Sequence, residues 1–343
     1  MIYRVIRAIR SSVSLIIIRV AAAIYRDNKA FIVGSPIHGN LGDQAIIQSE
    51  INFFKKQGLM AIEIESHLAK TKIKVLKKVI GNYPIYIHGG GFIGTLWPEE
   101  EEMLREIIKN FPRNKIVVLP QTCYFDSYSS AFYRESKGIY ESNKNIIFIM
   151  REKNAYNRMK KYFSRCKITL VPDMVLSEIP TDSKLERNGV LFCFRNDKEK
   201  IFNEIRRIED IVRHTKLPIR YTDTVIKDHG LPFNRKKVLT KKLNQFSKSQ
   251  LVITDRLHGM VFAYLTMTPC IAIDNKSHKV KGLYDWISKS NYVKIYDKNT
   301  FELDVDELLN LKNKEPVELS RYFDELVKII NYCESGIKNH QNA

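Results

Sequence analysis

The run Leu251 to Gly259 reads Leu-Val-Ile-Thr-Asp-Arg-Leu-His-Gly. An apolar, strand-like stretch delivers Asp255, Arg256 and His258 within four residues, and Gly259 opens a helical pattern. Arginine suits two-point capture of a phosphate or carboxylate. Histidine suits proton transfer near neutral pH, and aspartate can orient either. The alternative is a structural trio whose members satisfy one another internally. A second polar run, from Gly34 to Asp43, contains His38, Gly39, Asn40, Gly42 and Asp43 and lies between an apolar run and a helical one. Its glycines let backbone approach an anion or a sugar, and the start of a helix favours negative charge. Asp43 reads equally well as a helix cap or a catalyst. The run is not G-x-G-x-x-G, which leaves only Glu63 and Glu65, about 20 residues on, to support a dinucleotide.

Three further segments end apolar runs. His88-Gly89-Gly90-Gly91-Phe92 spends three glycines in a row, which is costly in entropy and implies either close approach to a ligand or a tight turn. Gln121 sits in Pro120-Gln121-Thr122. Arg151-Glu152 follows 146–150, where the arginine either points into a cleft or makes a surface ion pair. Pro172-Asp173 and Arg195-Asn196-Asp197 repeat the pattern. No His/Asp/Glu set has metal-ligand spacing, and G-x-S-x-G is absent. The five cysteines are odd in number, widely spaced and without C-x-x-C, as expected for reduced thiols in a cytosol.

The elements that carry these segments alternate. Strands are predicted at 31–35, 61–66, 84–89, 115–120, 146–151 and 168–176, with helices at 44–54, 72–80, 99–111, 129–142 and 154–163 between them. A polar, aperiodic stretch at 177–188 reads as a linker. A second series follows, with strands at 189–194, 219–221, 251–254, 269–274 and 293–296 and helices at 198–214, 235–247, 259–266 and 280–288. Such alternation implies parallel sheets covered by helices. The expected architecture is α/β, with two doubly wound, Rossmann-like domains at 27–180 and 189–300 facing a cleft, then a helical tail at 301–343. The glycine-rich and charged segments fall at the carboxyl ends of strands, where open α/β sheets bind ligands.

The chain has 343 residues, 56 Lys+Arg against 38 Asp+Glu, and a net charge of +18. This size supports a full core, and the balance implies anionic company: phosphorylated substrates, an acidic membrane surface or nucleic acid. The basic residues are spread and lack aromatic interleaving, which argues against nucleic acid. Residues 1–26 carry Arg4, Arg7, Arg10, Arg19 and Arg26 and no acid. Arg19 interrupts the apolar stretch, so a spanning helix or a signal peptide is disfavoured. Two readings stay open: a basic amphipathic helix lying on an anionic leaflet, or a first helix packed on the body with its arginines in water.

Together, G-x-x-x-H-G-N-x-G-D from Gly34, H-G-G-G-x-x-G from His88, L-P-Q-T, the strand-end R-E, V-P-D and T-D-R-L-H-G with a later T-P-C-I resemble the polysaccharide pyruvyl transferases, from about residue 31 to 286. The resemblance implies a GT-B-like fold and transfer of the enolpyruvyl carbons of phosphoenolpyruvate onto a sugar, making a ketal and releasing phosphate. The family's site arginine at a first-half strand end falls on Arg151, and its R-L-H arginine and histidine fall on Arg256 and His258. Where the family often carries Gly-Gly-Gly-Asn, this chain has Phe92.

The expected mechanism follows. Arg256 and Arg151, with Arg195 as a third, clamp the carboxylate and phosphate of the donor. His258 is the acid–base group and Asp255 its orienter or that of Arg256. His38, Gly39, Asn40, Gly42, Asp43, His88, Gly89, Gly90, Gly91 and Gln121 bind substrate. No redox cofactor is needed, and nothing in the sequence demands a metal; phosphoenolpyruvate is a co-substrate. The acceptor is expected to be a glycan of an exopolysaccharide, capsule or cell wall, lipid-linked, with the enzyme cytoplasmic and peripheral on the inner face of the membrane. The alternatives are a nucleotide-sugar glycosyltransferase of the same architecture, and a non-enzymatic scaffold for polysaccharide assembly.

Overall fold

The computed structural model describes residues 2–25, 28–195, 202–227, 231–274 and 278–341. Asn196, Asp197 and Arg26 fall outside them, as do the side chains of Arg4, Arg7 and Arg10. The chain forms two compact units. The first comprises 1–37, 46–174 and 322–343, and the second 38–45 and 175–321.

In the first unit, seven strands form one parallel sheet: β1 (Lys29–Ser35), β2 (Met60–Glu65), β3 (Ile85–Ile87), β4 (Gly90–Gly94), β5 (Ile116–Tyr124), β6 (Ile146–Met150) and β7 (Lys167–Leu170). Their order is β2-β1-β3-β5-β6-β7, with β4 also paired to β5. Strands covered on both faces read as unbroken apolar runs, as in Ile85-Tyr86-Ile87 and in β6, and Phe31, Ile87, Val118 and Phe148 are fully buried in the core between sheet and helices. β4 falls on glycines read as a ligand approach or a tight turn, and Gln121 and Thr122 lie inside β5 rather than after it. The helix Pro98–Asn110 starts with Pro98 and has three glutamates in its first turn, as the helix dipole favours. Its Glu101 is nonetheless buried: it accepts from Ser136 Oγ at 2.6 Å and Tyr140 OH at 2.7 Å and pairs with Arg105 Nε at 2.8 Å. The helix Asp324–Gln341 belongs to this unit and receives a 2.7 Å bond from Tyr86 OH on Glu334. The helix Ile2–Ile24 packs on the same core through Ile18, with Arg19 exposed. Among the described residues no helix is long and apolar enough to cross a membrane.

In the second unit, β8 (Val190–Cys193), β9 (Ile219–Thr222), β10 (Leu251–Thr254), β11 (Cys270–Ala272) and β12 (Val293–Ile295) form a parallel sheet ordered β12-β11-β10-β8-β9. The first strand of the unit lies between the second and third, so the winding reverses between β8 and β10, the point where doubly wound sheets open a crevice. Val190, Phe192, Ile253, Ile271 and Phe301 fill the core. The expected α/β class with two separate parallel sheets is what the chain forms. The stretch read as a linker is fastened to this unit instead: Arg187 donates to Thr266 O at 2.8 Å and to Thr268 Oγ1 at 2.6 Å and pairs with Asp182 at 2.7 Å.

Candidate active site

The reversal point of the second sheet is built by Thr254. At the end of β10 its hydroxyl donates to Cys193 O at 2.6 Å, tying β10 to β8, and accepts from Arg256 N at 3.0 Å. A β-carbon on Gly259 would overlap Thr254 Oγ1 and sit 3.1 Å from its Cβ. Only glycine lets the helix Leu257–Leu265 start so close to the strand end. Arg256 caps that helix in extended conformation, and His258 lies in its first turn.

Asp255 is 2% exposed. Its Oδ1 accepts from Arg195 N at 2.8 Å, so the loops after β8 and β10 are joined, while Oδ2 is buried with no hydrogen-bond partner among the described residues. Burial pushes the carboxyl up to about 6, against the hydrogen bond from Arg195 N and the cations of Arg195 and Arg256. Arg256 reaches Asp223, just past β9, with Nη2 donating to Oδ2 at 2.9 Å.

The loop 38–43 folds onto the same place. Asn40 bridges Val225, Leu41 N donates to Thr224 O at 2.8 Å and Ile226 N to Gly39 O at 2.9 Å. A β-carbon on Gly39 would overlap Ile226 O, and one on Gly42 would overlap the ring of His258. Asn40 holds the turn, its Oδ1 accepting from Gly42 N at 3.1 Å and its Nδ2 donating to Asp43 Oδ2 at 2.7 Å. His38 Nε2 lies 3.7 Å from the same Asp43 oxygen. Behind the loop, Arg235 Nε donates to buried Gln44 Oε1 at 2.8 Å, and Gln44 Nε2 to His38 O at 3.0 Å. Thus His38, Gly39, Asn40, Gly42, Asp43, Arg195, Asp255, Arg256 and His258 form one cluster in the second unit.

The remaining predicted residues cluster in the first unit. His88 follows β3, and its Nδ1 lies 2.9 Å from Oε2 of Glu50, a fully buried carboxylate whose Oε1 accepts from Gly89 N at 2.7 Å. Gln121 donates to His88 O at 2.8 Å and accepts from Phe92 N at 3.2 Å, tying β3 to β4. Arg151 is 4% exposed, so a surface ion pair is ruled out. Its Nε donates to Thr122 Oγ1 at 2.9 Å and its Nη1 to fully buried Asp173 at 2.7 Å. A β-carbon on Gly91 would come within 3.2 Å of Arg151 Nη2, so the glycine makes room for the guanidinium. Gly90, at φ +134°, begins β4.

Sequence reading missed Glu50, Asp223 and Gln44 and did not assign Asp173 a partner. A glutamate on the apolar face of a helix was the available signal for Glu50. A cavity of about 590 Å³ in the second unit is lined by Arg220, Tyr221, Lys237 and Lys241 among others, and shares no residue with the Asp255–His258 cluster. The described cysteines are free, and burial pushes the Cys193 thiol up to about 12, so it is inert. Among the described residues no group of three or more His, Cys, Asp or Glu could hold a metal ion.

Known proteins are similar to this chain. General stress protein 30 of Bacillus subtilis (strain 168) is 34% identical over 315 residues, 87% of this chain and 90% of that protein. Pyruvyl transferase 1 of Schizosaccharomyces pombe is 24% identical over 269 residues, 72% of this chain and 66% of its own. A crystal structure of an uncharacterized protein from Klebsiella pneumoniae matches with a TM-score of 0.52 at 17% identity, covering 82% of this chain and 98% of that one, a likeness of fold alone. The family model for polysaccharide pyruvyl transferase matches residues 40–277, from the Asn40 loop past the Asp255–His258 strand end, and the chain therefore belongs to the polysaccharide pyruvyl transferase family.

Proposed function

We propose that this enzyme transfers the pyruvyl carbons of phosphoenolpyruvate to two hydroxyls of one sugar, forming a ketal and releasing inorganic phosphate. The observation that carries this reading is the bond from Arg195 N to Asp255, which brings the loop after β8 to the strand end that carries Arg256 and His258, at the reversal point of the second sheet. A small donor with a carboxylate and a phosphate is met there by two arginines and a helix N-terminus. The methylene carbon takes a proton, the adjacent carbon becomes oxocarbenium-like, and one sugar hydroxyl adds to it. The second hydroxyl then displaces phosphate, and the two hydroxyl protons return to base and solvent. His258 serves as the acid–base group. Asp255 is the buried carboxyl that steadies this strand end. His88 and Arg151 are assigned to substrate binding in the first unit. The acceptor is a lipid-linked glycan precursor, and the enzyme works at the inner leaflet.

Incubation with ¹⁴C-labelled phosphoenolpyruvate and a glycan acceptor should release phosphate and label the glycan in equal amounts. Release of a nucleotide from a UDP-sugar, with phosphoenolpyruvate untouched, would replace this reading by glycosyl transfer.

A further inference from the structure

From Ser11 on, the helix Ile2–Ile24 is docked by one face and bare on the other. Ile18 is buried, and Leu15, Ala21 and Ala22 pack beside it on the core of the first unit. Lys29 Nζ, from β1, donates to Ala22 O at 2.8 Å and fastens the last turns. Val13, Ile16, Ile17, Val20 and Ile24 are instead 45–66% exposed. At 100° per residue these five fall on one stripe, opposite Leu15, Ile18 and Ala22. The packed face of an amphipathic helix accounts for the docking; nothing in that docking accounts for a second apolar face.

The charged residues of this helix and of its neighbour Ile73–Ile80 have one sign. Between residues 2 and 25 every charged residue is an arginine: Arg4, Arg7, Arg10 and Arg19. The helix Ile73–Ile80 packs beside this one, and Lys72, Lys74, Lys77 and Lys78, at its start and along it, are all exposed, with no acid between them. An exposed aliphatic ridge on a helix that also exposes Arg19, beside a helix that exposes four lysines, matches an anionic bilayer interface, apolar below the headgroups and negative at their level. A second copy of this surface would bring like charges together.

We infer that the stripe Val13–Ile16–Ile17–Val20–Ile24, with the lysines of 72–78, is a fixed membrane-docking surface for an anionic phospholipid leaflet. The helix lies in the interface while its other face stays on the protein core, so the first unit is held at the membrane without a spanning segment. The inference rests on the inner-leaflet reading of the acceptor only for its purpose. Vesicle binding needs no substrate, so its failure and a failure of pyruvyl transfer are separate results.

Flotation of the full chain with phosphatidylcholine vesicles, with and without phosphatidylglycerol, tests it. Binding should require the anionic lipid and fall as salt rises. The triple variant Ile16→Ser, Ile17→Ser, Val20→Ser should lower partitioning about 100-fold, because three aliphatic side chains leave the interface. The variant Lys74→Gln, Lys77→Gln, Lys78→Gln should lower it roughly tenfold or more and flatten its salt dependence. Both variants alter exposed residues, so their thermal unfolding should match the parent, and so should phosphate release with a water-soluble acceptor. The inference is overturned if the parent ignores anionic vesicles at low salt. It is equally overturned if the serine variant floats like the parent, or if the serine changes abolish a dimer in a parent that does not float.

Discussion

Gly42 lies against the imidazole of His258, so close that a β-carbon on the glycine would overlap Nδ1 and sit 2.7 Å from Cγ. The two residues are 216 positions apart in sequence. The glycine of the 38–43 loop thus acts as a seat for the histidine ring and leaves the ring no room to turn toward the loop.

Gly42→Ala should therefore damage catalysis by displacing His258. An ångström of misplacement at a reacting group costs about 10²-fold in rate. We expect a fall in kcat of about that size, with the melting temperature changed little. Parental kcat in Gly42→Ala would show that the ring position is not needed.

His258→Ala should still bind donor through the arginines but lose about 10²–10⁴-fold in turnover, the span of general acid–base catalysis. Equilibrium binding of phosphoenolpyruvate, measured by calorimetry beside single-turnover rates, separates the two effects. Near-parental turnover would pass the acid–base role to His38 or His88.

Arg256→Lys keeps the charge but loses the planar fork and the reach to Asp223. Loss of a charge-assisted two-point contact should cost about 1.5–3 kcal/mol, read as a roughly 10- to 100-fold fall in kcat/KM for phosphoenolpyruvate. Unchanged efficiency would remove Arg256 from the donor site.

Asp255 gives stability a pH dependence opposite to that of a salt-bridged carboxylate. Its carboxyl is raised from 3.8 to about 6, so between those values the folded state holds a proton that the unfolded chain has released. Its contribution is present below about pH 4 and is lost as pH rises through 6. The upper limit of that loss is about 3 kcal/mol. Asp255→Asn can still accept from Arg195 N, and should match the parent at pH 4 but unfold at higher denaturant at pH 7. Parallel pH–stability curves for the two proteins would refute the shift.

Asp173→Ala strips Arg151 of its buried counter-ion, a 2.7 Å contact between groups 4% and 0% exposed. Breaking a buried ion pair by removing one partner costs about 3–5 kcal/mol. We expect a marked drop in the denaturant midpoint, partly restored when Arg151→Met is added. A second substitution that deepens the loss would show that the guanidinium stabilises the fold without Asp173.

The sequence by itself determined the α/β class, because buried parallel strands must be short unbroken apolar runs, separated here by helical periods. It also located the polar strand ends, since Asp255, Arg256 and His258 follow Leu251–Thr254 without a gap, and His88 follows Ile85–Ile87. Tertiary structure alone decided the partners. That the loop 38–43 folds with Thr224–Ile226 and onto His258, that Glu50 holds His88 and Gly89, and that Asp173 neutralises Arg151 are contacts between distant positions, and such contacts leave no periodicity behind. The same holds for Arg187, whose bonds to Thr266 and Thr268 order a stretch with the composition of a linker, and for β4, whose glycines carry no strand propensity and pair only because β5 lies alongside. Local propensity sets the elements and where they end. Which side chains meet at those ends depends on chain topology and on the room each glycine leaves.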